Sequence, residues 1–238
     1  MAELYKSKEG KKEILDLYDQ KLESLNIDYK YKNIETKFGN TNVIVTGNPE
    51  NEPLIIIHGS NGNAPVGLES YPNLTKKYQV FAVDVLAQPN KSAETRLSMK
   101  DNSYGEWLNE VIDKLELKNV VLAGFSFGGL VILKTLIQNE KNIKSTFISC
   151  PVFIVNGNPL KAIFKMFIPM RRYMKTKKIS YVEKIVENLF TDKDPYAIQY
   201  LSKVFLHFKM DFSALPVISK KEANAIKTPI NLFAGGND

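Results

Sequence analysis

Apolar residues along this chain change their period several times, and each change predicts an element. Between residues 10 and 26, Ile14, Leu15, Tyr18, Leu22 and Leu25 recur every three or four positions, the spacing of an amphipathic helix. Residues 31–38 and 42–46 are strand-like runs on either side of Gly39 and Asn40, which predicts a hairpin turning at that pair. Residues 53–58, Pro-Leu-Ile-Ile-Ile-His, form a continuous apolar run suited to a strand covered on both faces of a parallel sheet. Residues 77–84 repeat that character and lead into a loop over 85–92. Tyr104, Trp107, Leu108, Val111, Ile112 and Leu115 mark one face of a helix. Residues 119–133 then read as strand, tight turn and helix, and 144–150 and 229–234 as two further strands. Strands alternating with helices predict an α/β fold with a mostly parallel twisted sheet and helices on both faces. Sites in such sheets lie at the carboxyl ends of strands, where His58-Gly59, Asp84, Ser126 and residues 235–238 all fall.

Residues 153–226 have a different character, helical segments with breaks inserted between two strands. Ser180 and Glu183 have the spacing of a capping box before Ile185, Val186 and Leu189. Asp194-Pro195 has the form of an N-cap with proline at the first helical position, before Ile198, Leu201, Val204, Phe205 and Phe208. The domain reading is a core of 1–152 and 227–238 with a helical cap or lid over 153–226.

Charge sharpens that division. The chain of 238 residues carries a formal charge of +6, yet residues 156–226 hold 13 Lys/Arg against 6 Asp/Glu, so the basicity is concentrated in the cap. Residues 161–178 contain seven cations and no acid. A solvated basic face is the favoured account; attraction of an anionic substrate or of a lipid surface are the sharper ones. Nucleic acid is not expected, because no recognition motif accompanies the charge. At 44% hydrophobic, the chain has material for one sizeable core. Its one cysteine, Cys150, excludes an internal disulfide and, ending an apolar strand, is expected to be a buried inert thiol. The charged N-terminus lacks a signal-peptide core and the longest apolar run, 120–133, is too short to span a bilayer, so a cytoplasmic protein is expected.

The chemistry converges on Gly124-Phe-Ser126-Phe-Gly128-Gly129. Gly-x-Ser-x-Gly between a strand and a helix is the nucleophile elbow, a turn so sharp that side chains at 124 and 128 would collide with strand or helix. The serine oxygen then stands above the sheet edge while the helix N-terminus aims its amides at the reacting centre. A dinucleotide-binding turn needs glycine where Ser126 stands, and a phosphate-binding loop needs a following Gly-Lys-Ser/Thr. After the 53–58 strand, the small residues His58-Gly59-Ser60-Asn61-Gly62 free backbone amides to meet a substrate oxygen. Taken alone, that stretch also reads as a plain loop with a structural histidine, and Asp84 as a residue that holds the 85–92 loop.

Together the hairpin, His58-Gly59, Asp84, the elbow, the helical insertion and Gly235-x-x-Asp238 resemble the α/β-hydrolase superfamily over essentially the whole chain. The leading helix and residues 78–84 look like a bacterial carboxylesterase-like subgroup. The resemblance implies Ser126 as nucleophile, the amides of Phe127 and Ser60 as the oxyanion hole with Asn61 as a neighbour that could substitute, and Asp238 as the acid. His58, Gly59, Gly124 and Gly128 support them. It implies no cofactor and no metal, and a carboxylic ester, thioester or amide of small to medium size as the substrate. In the family's order a histidine follows the acid. This sequence has only His58 and His207, so the expectation is a fragment lacking a last strand, a last helix and the catalytic base. The rival reading is an inactive homologue serving as a binding or scaffold protein.

Overall fold

The computed structural model describes residues 3–155, 159–189 and 193–235. Its seven-stranded sheet is built from β1 (Tyr29–Thr36), β2 (Gly39–Thr46), β3 (Glu52–Ile57), β4 (Tyr78–Val83), β5 (Val120–Phe125), β6 (Ile143–Ser149) and β7 (Ile230–Phe233). The strands lie in the order β1-β2-β4-β3-β5-β6-β7. β1 and β2 pair antiparallel and β2 meets β4 antiparallel, while β4, β3, β5, β6 and β7 run parallel.

The continuous apolar run of β3 is explained by its place between β4 and β5. Ile55 and Ile57 face one core and Leu54 and Ile56 the other, so both sides of the pleat are buried. Beneath the first face lie α3 (Ser103–Lys114) and α4 (Phe127–Gln138), with Trp107, Leu108, Leu130 and Leu133 in the core. On the other face lie α1 (Lys8–Ser24), bringing Tyr18 and Leu22, and α2 (Ala64–Ser70), bringing Ala64 and Leu68. The Trp107 indole donates to Thr41 Oγ1 at 2.8 Å, which satisfies its N–H inside the core.

Between β6 and β7 come α5 (Pro159–Ala162), a π-helical turn over Ile163–Phe167, α6 (Ile168–Thr176), α7 (Ser180–Leu189), α8 (Pro195–His207) and α9 (Lys220–Ala225). Met170, Tyr173, Val182, Ile185, Val186 and Phe205 give α6, α7 and α8 a small core of their own. α8 also leans on α1, through Val204 and Tyr200 against Ile14 and Leu17. Ile218 and Ile226, flanking α9, pack instead against the main core.

Several local expectations need correction. Thr36 pairs with Gly39, so the hairpin turns at Lys37 and Phe38, two residues before Gly39-Asn40; Gly39 opens β2 with φ +117°. Ser180 is already the first helical residue of α7, with the Glu183 N–H bonded to Ile179 O, so it caps nothing by the expected pattern. The capping box belongs to α9, where Ser219 Oγ accepts from Glu222 N and Glu222 reaches back to Ser219 N. Asp194 does cap α8, accepting from Tyr196 N at 2.9 Å. Cys150 is exposed rather than buried, because β6 ends at Ser149 and the chain turns outward at the rim with φ +45°.

α3 and α4 approach so closely that a Cβ on Gly105 would stand 2.2 Å from Lys134 O. Backbone cannot give way as a side-chain tip can, so Gly105→Ala is expected to destabilise the fold by about 3 kcal/mol, read as a lowered urea midpoint at unchanged slope.

Candidate active site

The register of the sheet sets the site. Ile57 pairs with Gly124 in adjacent parallel strands, so His58-Gly59-Ser60 and Phe125-Ser126-Phe127 leave the sheet side by side. β5 ends at Phe125 and α4 starts at Phe127, leaving one residue to reverse the chain. That residue, Ser126, has φ +52° and ψ −115°, a conformation that costs a non-glycine residue about 1–3 kcal/mol. Its amide donates to Ser149 O at 3.0 Å, and its carbonyl accepts from Gly129 N at 3.0 Å and Val152 N at 3.3 Å. The backbone is thus pinned on both sides while the half-exposed side chain makes no hydrogen bond among the described residues.

The flanking glycines answer to measurable crowding. A Cβ at 128 would sit 2.3 Å from Ile57 O, and one at 124 would meet Ile132 Cδ1 at 2.9 Å and Ile57 O at 3.0 Å. Gly59 faces the Phe125 ring, 2.7 Å from where its Cβ would be. Only without side chains at 124 and 128 can α4 start directly against the end of β3.

The β3 loop is a turn closed by Gly62 N–H to Gly59 O at 3.1 Å. Asn61, at φ +55°, spends its amide on Gln88 Oε1 at 2.7 Å. The amide of Asn61 is therefore committed to protein. The amides of Ser60 and Phe127 make no hydrogen bond among the described residues. Phe127 is the first residue of α4, where the helix has unpaired N–H groups and a partial positive charge. An oxygen held between the two would meet donors already fixed in place. Gln88 carries no motif signal, and only the folded loop reveals that it holds this turn.

Beneath the loop lie two buried ionisable groups. The Val85 N–H donates to His58 Nε2 at 3.0 Å, which makes Nε2 the acceptor and leaves Nδ1–H to donate to Gly59 O at 2.8 Å. Burial pushes the His58 pKa down to about 4. This ring ties the ends of β3 and β4 and has no nitrogen to offer Ser126. Asp84 accepts from Ala64 N at 2.7 Å, Asn42 Nδ2 at 2.8 Å, Tyr18 Oη at 2.9 Å and Lys91 N at 3.3 Å. Burial pushes its pKa up to about 6 against those four donors, which favour the charged form.

His207 is elsewhere. At the end of α8 it packs against Gly10 of α1, with Nε2 3.8 Å from Glu13 Oε2. Asp238 lies outside the described residues. Among the described residues, no group of His, Cys, Asp and Glu is arranged to hold a metal ion. A cleft of about 710 Å³ lined by Tyr29, Thr46, Gly47 and Gln79 opens at the opposite end of the sheet from Ser126.

Residues 52–181 match the family described as alpha/beta hydrolase fold. Two Bacillus subtilis proteins are similar over part of their length: an uncharacterized carboxylesterase, nap, 30% identical over 134 residues, and the carboxylesterase YbfK, 28% identical over 137. Each match takes in 56% of this chain, and the chain spans 45% of the length of either relative. The crystal structure of naproxen esterase from Bacillus subtilis superposes with a TM-score of 0.79 at 23% identity, covering 95% of this chain and 81% of that one.

Asp84 and His58 pull stability in opposite directions with pH. The raised Asp84 pKa means the folded state holds that proton more tightly, so its contribution grows as pH falls through 6 toward 4. The depressed His58 pKa means stability present above about 6.5 is lost as pH falls toward 4. Replacing Asp84 with Asn removes one side of this balance. Urea titrations at pH 7 and pH 4 should show the deficit of Asp84→Asn widening at the lower pH, by about 2–3 kcal/mol.

Proposed function

The chain belongs to the α/β-hydrolase fold family, and from that premise we propose that it is a serine hydrolase cleaving a carboxylic ester of a small to medium substrate through an acyl-enzyme on Ser126. The observation that carries this reading is the elbow: a serine at φ +52° between strand and helix, its hydroxyl unengaged, beside two amides that bond to nothing in the described protein. The carboxylesterase names of the two Bacillus subtilis relatives support an ester over other acyl groups. Thioesters and amides share the same tetrahedral chemistry and remain within the proposed substrate class.

In the proposed sequence Ser126 Oγ attacks the acyl carbon as its proton passes to a base, and the carbonyl oxygen takes the electron pair. The amides of Phe127 and Ser60 receive that oxyanion. Collapse expels the alcohol, which regains the proton, and water then attacks the acyl-enzyme to release acid and free serine. No metal or cofactor enters this scheme. Asp238 is assigned the role of acid by its position after β7. Neither histidine of the 238 residues suits the role of base: His58 has both ring nitrogens engaged, and His207 rests on α1. Residues 153–226 are proposed as the cap that shapes substrate access over a core of 1–152 and 227–238, in a cytoplasmic protein.

Ser126 is tested with a fluorophosphonate probe on the purified protein. Labelling at Ser126 that disappears in Ser126→Ala, with ester turnover falling by about 10⁴–10⁶, is the expected result. Equal labelling in the alanine variant would refute the nucleophile. Absence of both labelling and turnover would favour an inactive, ligand-binding homologue. With His58 and His207 both engaged elsewhere, these 238 residues are expected to turn over p-nitrophenyl esters at least ~10³-fold more slowly than a serine esterase with an intact triad.

A further inference from the structure

The helical segment ahead of α7 departs from the usual rule for surface helices. Its π-helical turn, Ile163–Phe167, is exposed at every position, and four of its five residues are large and apolar. Phe164 is 67% exposed, Ile163 43% and Met166 41%. Phe167 meets Phe212, itself 62% exposed, edge-on and carries the Arg171 guanidinium 5.7 Å over its ring, so the apolar surface is continuous rather than scattered and has a cation at its margin. Contiguous apolar area of this kind marks a surface that binds something.

The charge around it indicates what. Met170 and Tyr173 turn inward to the small core of α6, α7 and α8, which leaves Arg171, Arg172 and Lys175 pointing to solvent. Lys165 stands within the apolar turn, and Lys177 and Lys178 follow the helix. All six cations are exposed, and none makes an ion pair among the described residues. No acid occurs between Glu140 and Glu183. Aromatic and aliphatic side chains at the tip, ringed by exposed cations that have no carboxylate partner among the described residues, match the chemistry of an interface whose outer layer is anionic and whose next layer is hydrocarbon.

We propose that residues 163–178 form a peripheral docking surface for anionic lipid bilayers, with Ile163, Phe164 and Met166 entering the headgroup layer and the surrounding cations meeting lipid phosphates. Two copies of the chain fit this surface poorly, because pairing it would bring two sets of cations face to face. A nucleic acid would satisfy the cations and leave the apolar tip in water.

The experiment is co-sedimentation of the protein with phosphatidylcholine vesicles containing about one phosphatidylglycerol in three, against pure phosphatidylcholine. Binding to the anionic vesicles should be at least ~10-fold tighter and should weaken steeply with added salt. Ile163→Ser/Phe164→Ser and, separately, Lys165→Gln/Lys175→Gln/Lys178→Gln should each lower partitioning by about tenfold or more at unchanged thermal midpoint. The charge variant keeps the test valid if the apolar one unfolds. Failure of the wild-type protein to bind anionic vesicles at low salt overturns the proposal, as does binding that neither variant alters. Self-association abolished by Phe164→Ser, or tight oligonucleotide binding, without vesicle binding would assign the surface to another partner and overturn it equally.

Discussion

Asp84 is fully buried, and a buried carboxyl must find its donors inside the protein or be left uncompensated. Its four donors come from four separate stretches: Tyr18 on α1, Asn42 on β2, Ala64 at the start of α2, and Lys91 in the loop after β4. Two of them are backbone amides, so the carboxylate fixes chain path as well as side chains. Ala64 N is one of the otherwise unpaired amides of a helix start, which makes Asp84 a long-range partner for α2 in addition to its N-cap Asn63. The upper rim of the sheet therefore depends on this single group. His58 continues the same network by accepting from the Val85 amide, one residue beyond Asp84.

The reactive end of the molecule rests on that rim. The β3 loop is held from below by His58, from the side by Gln88 and from within by its own turn, so Ser60 is presented on a backbone with little freedom. Across from it the elbow is held by three backbone hydrogen bonds to Ser126. The strain at Ser126 persists because its neighbours over-determine it: moving the serine to an easier conformation would move α4 away from Ile57 and open the main core. Rigid support on both sides is what electrostatic stabilisation by backbone amides demands, since donors that must reorganise lose their advantage.

Much of this was legible in the sequence because the signals were local. The elbow could be read from its glycines, α3 from the spacing of its apolar face, β3 from its unbroken apolar run and α8 from Asp194-Pro195. The readings that failed concern choices made by tertiary structure. Gly39 drew the hairpin turn toward itself, while the pairing of Thr36 with Gly39 moved the turn to Lys37-Phe38. Ser180 and Ser219 carry the same spacing to a glutamate, and only the path of the preceding chain decides that the second caps a helix. α2 has a usable sequence signal, Asn63 followed by Pro65, an N-cap with proline in the first turn. The apolar strand before Cys150 suggests burial but says nothing about where the strand meets the rim, and there the thiol is exposed. Gln88 could not be found at all, since an amide side chain in a loop has no pattern until the fold brings it to Asn61.

The segment leading into α1 is bound to the end of α8. Lys6 N donates to His207 O and Lys209 N to Leu4 O, both at 2.8 Å, and Tyr5 stacks edge-on against Phe208. About two hundred residues separate these partners in sequence. α1, far ahead of α8 in the sequence, thus cannot be completed until α8 has been made. During synthesis the apolar stripe of α1 has half of its seat, the Leu22 and Tyr18 side against the sheet, and lacks the other. Contacts of such long range slow folding and extend the time that sticky surface stays uncovered. The charged residues that alternate with that stripe, Lys11, Lys12, Glu13 and Asp16 among them, keep the waiting helix in solution until its partner arrives.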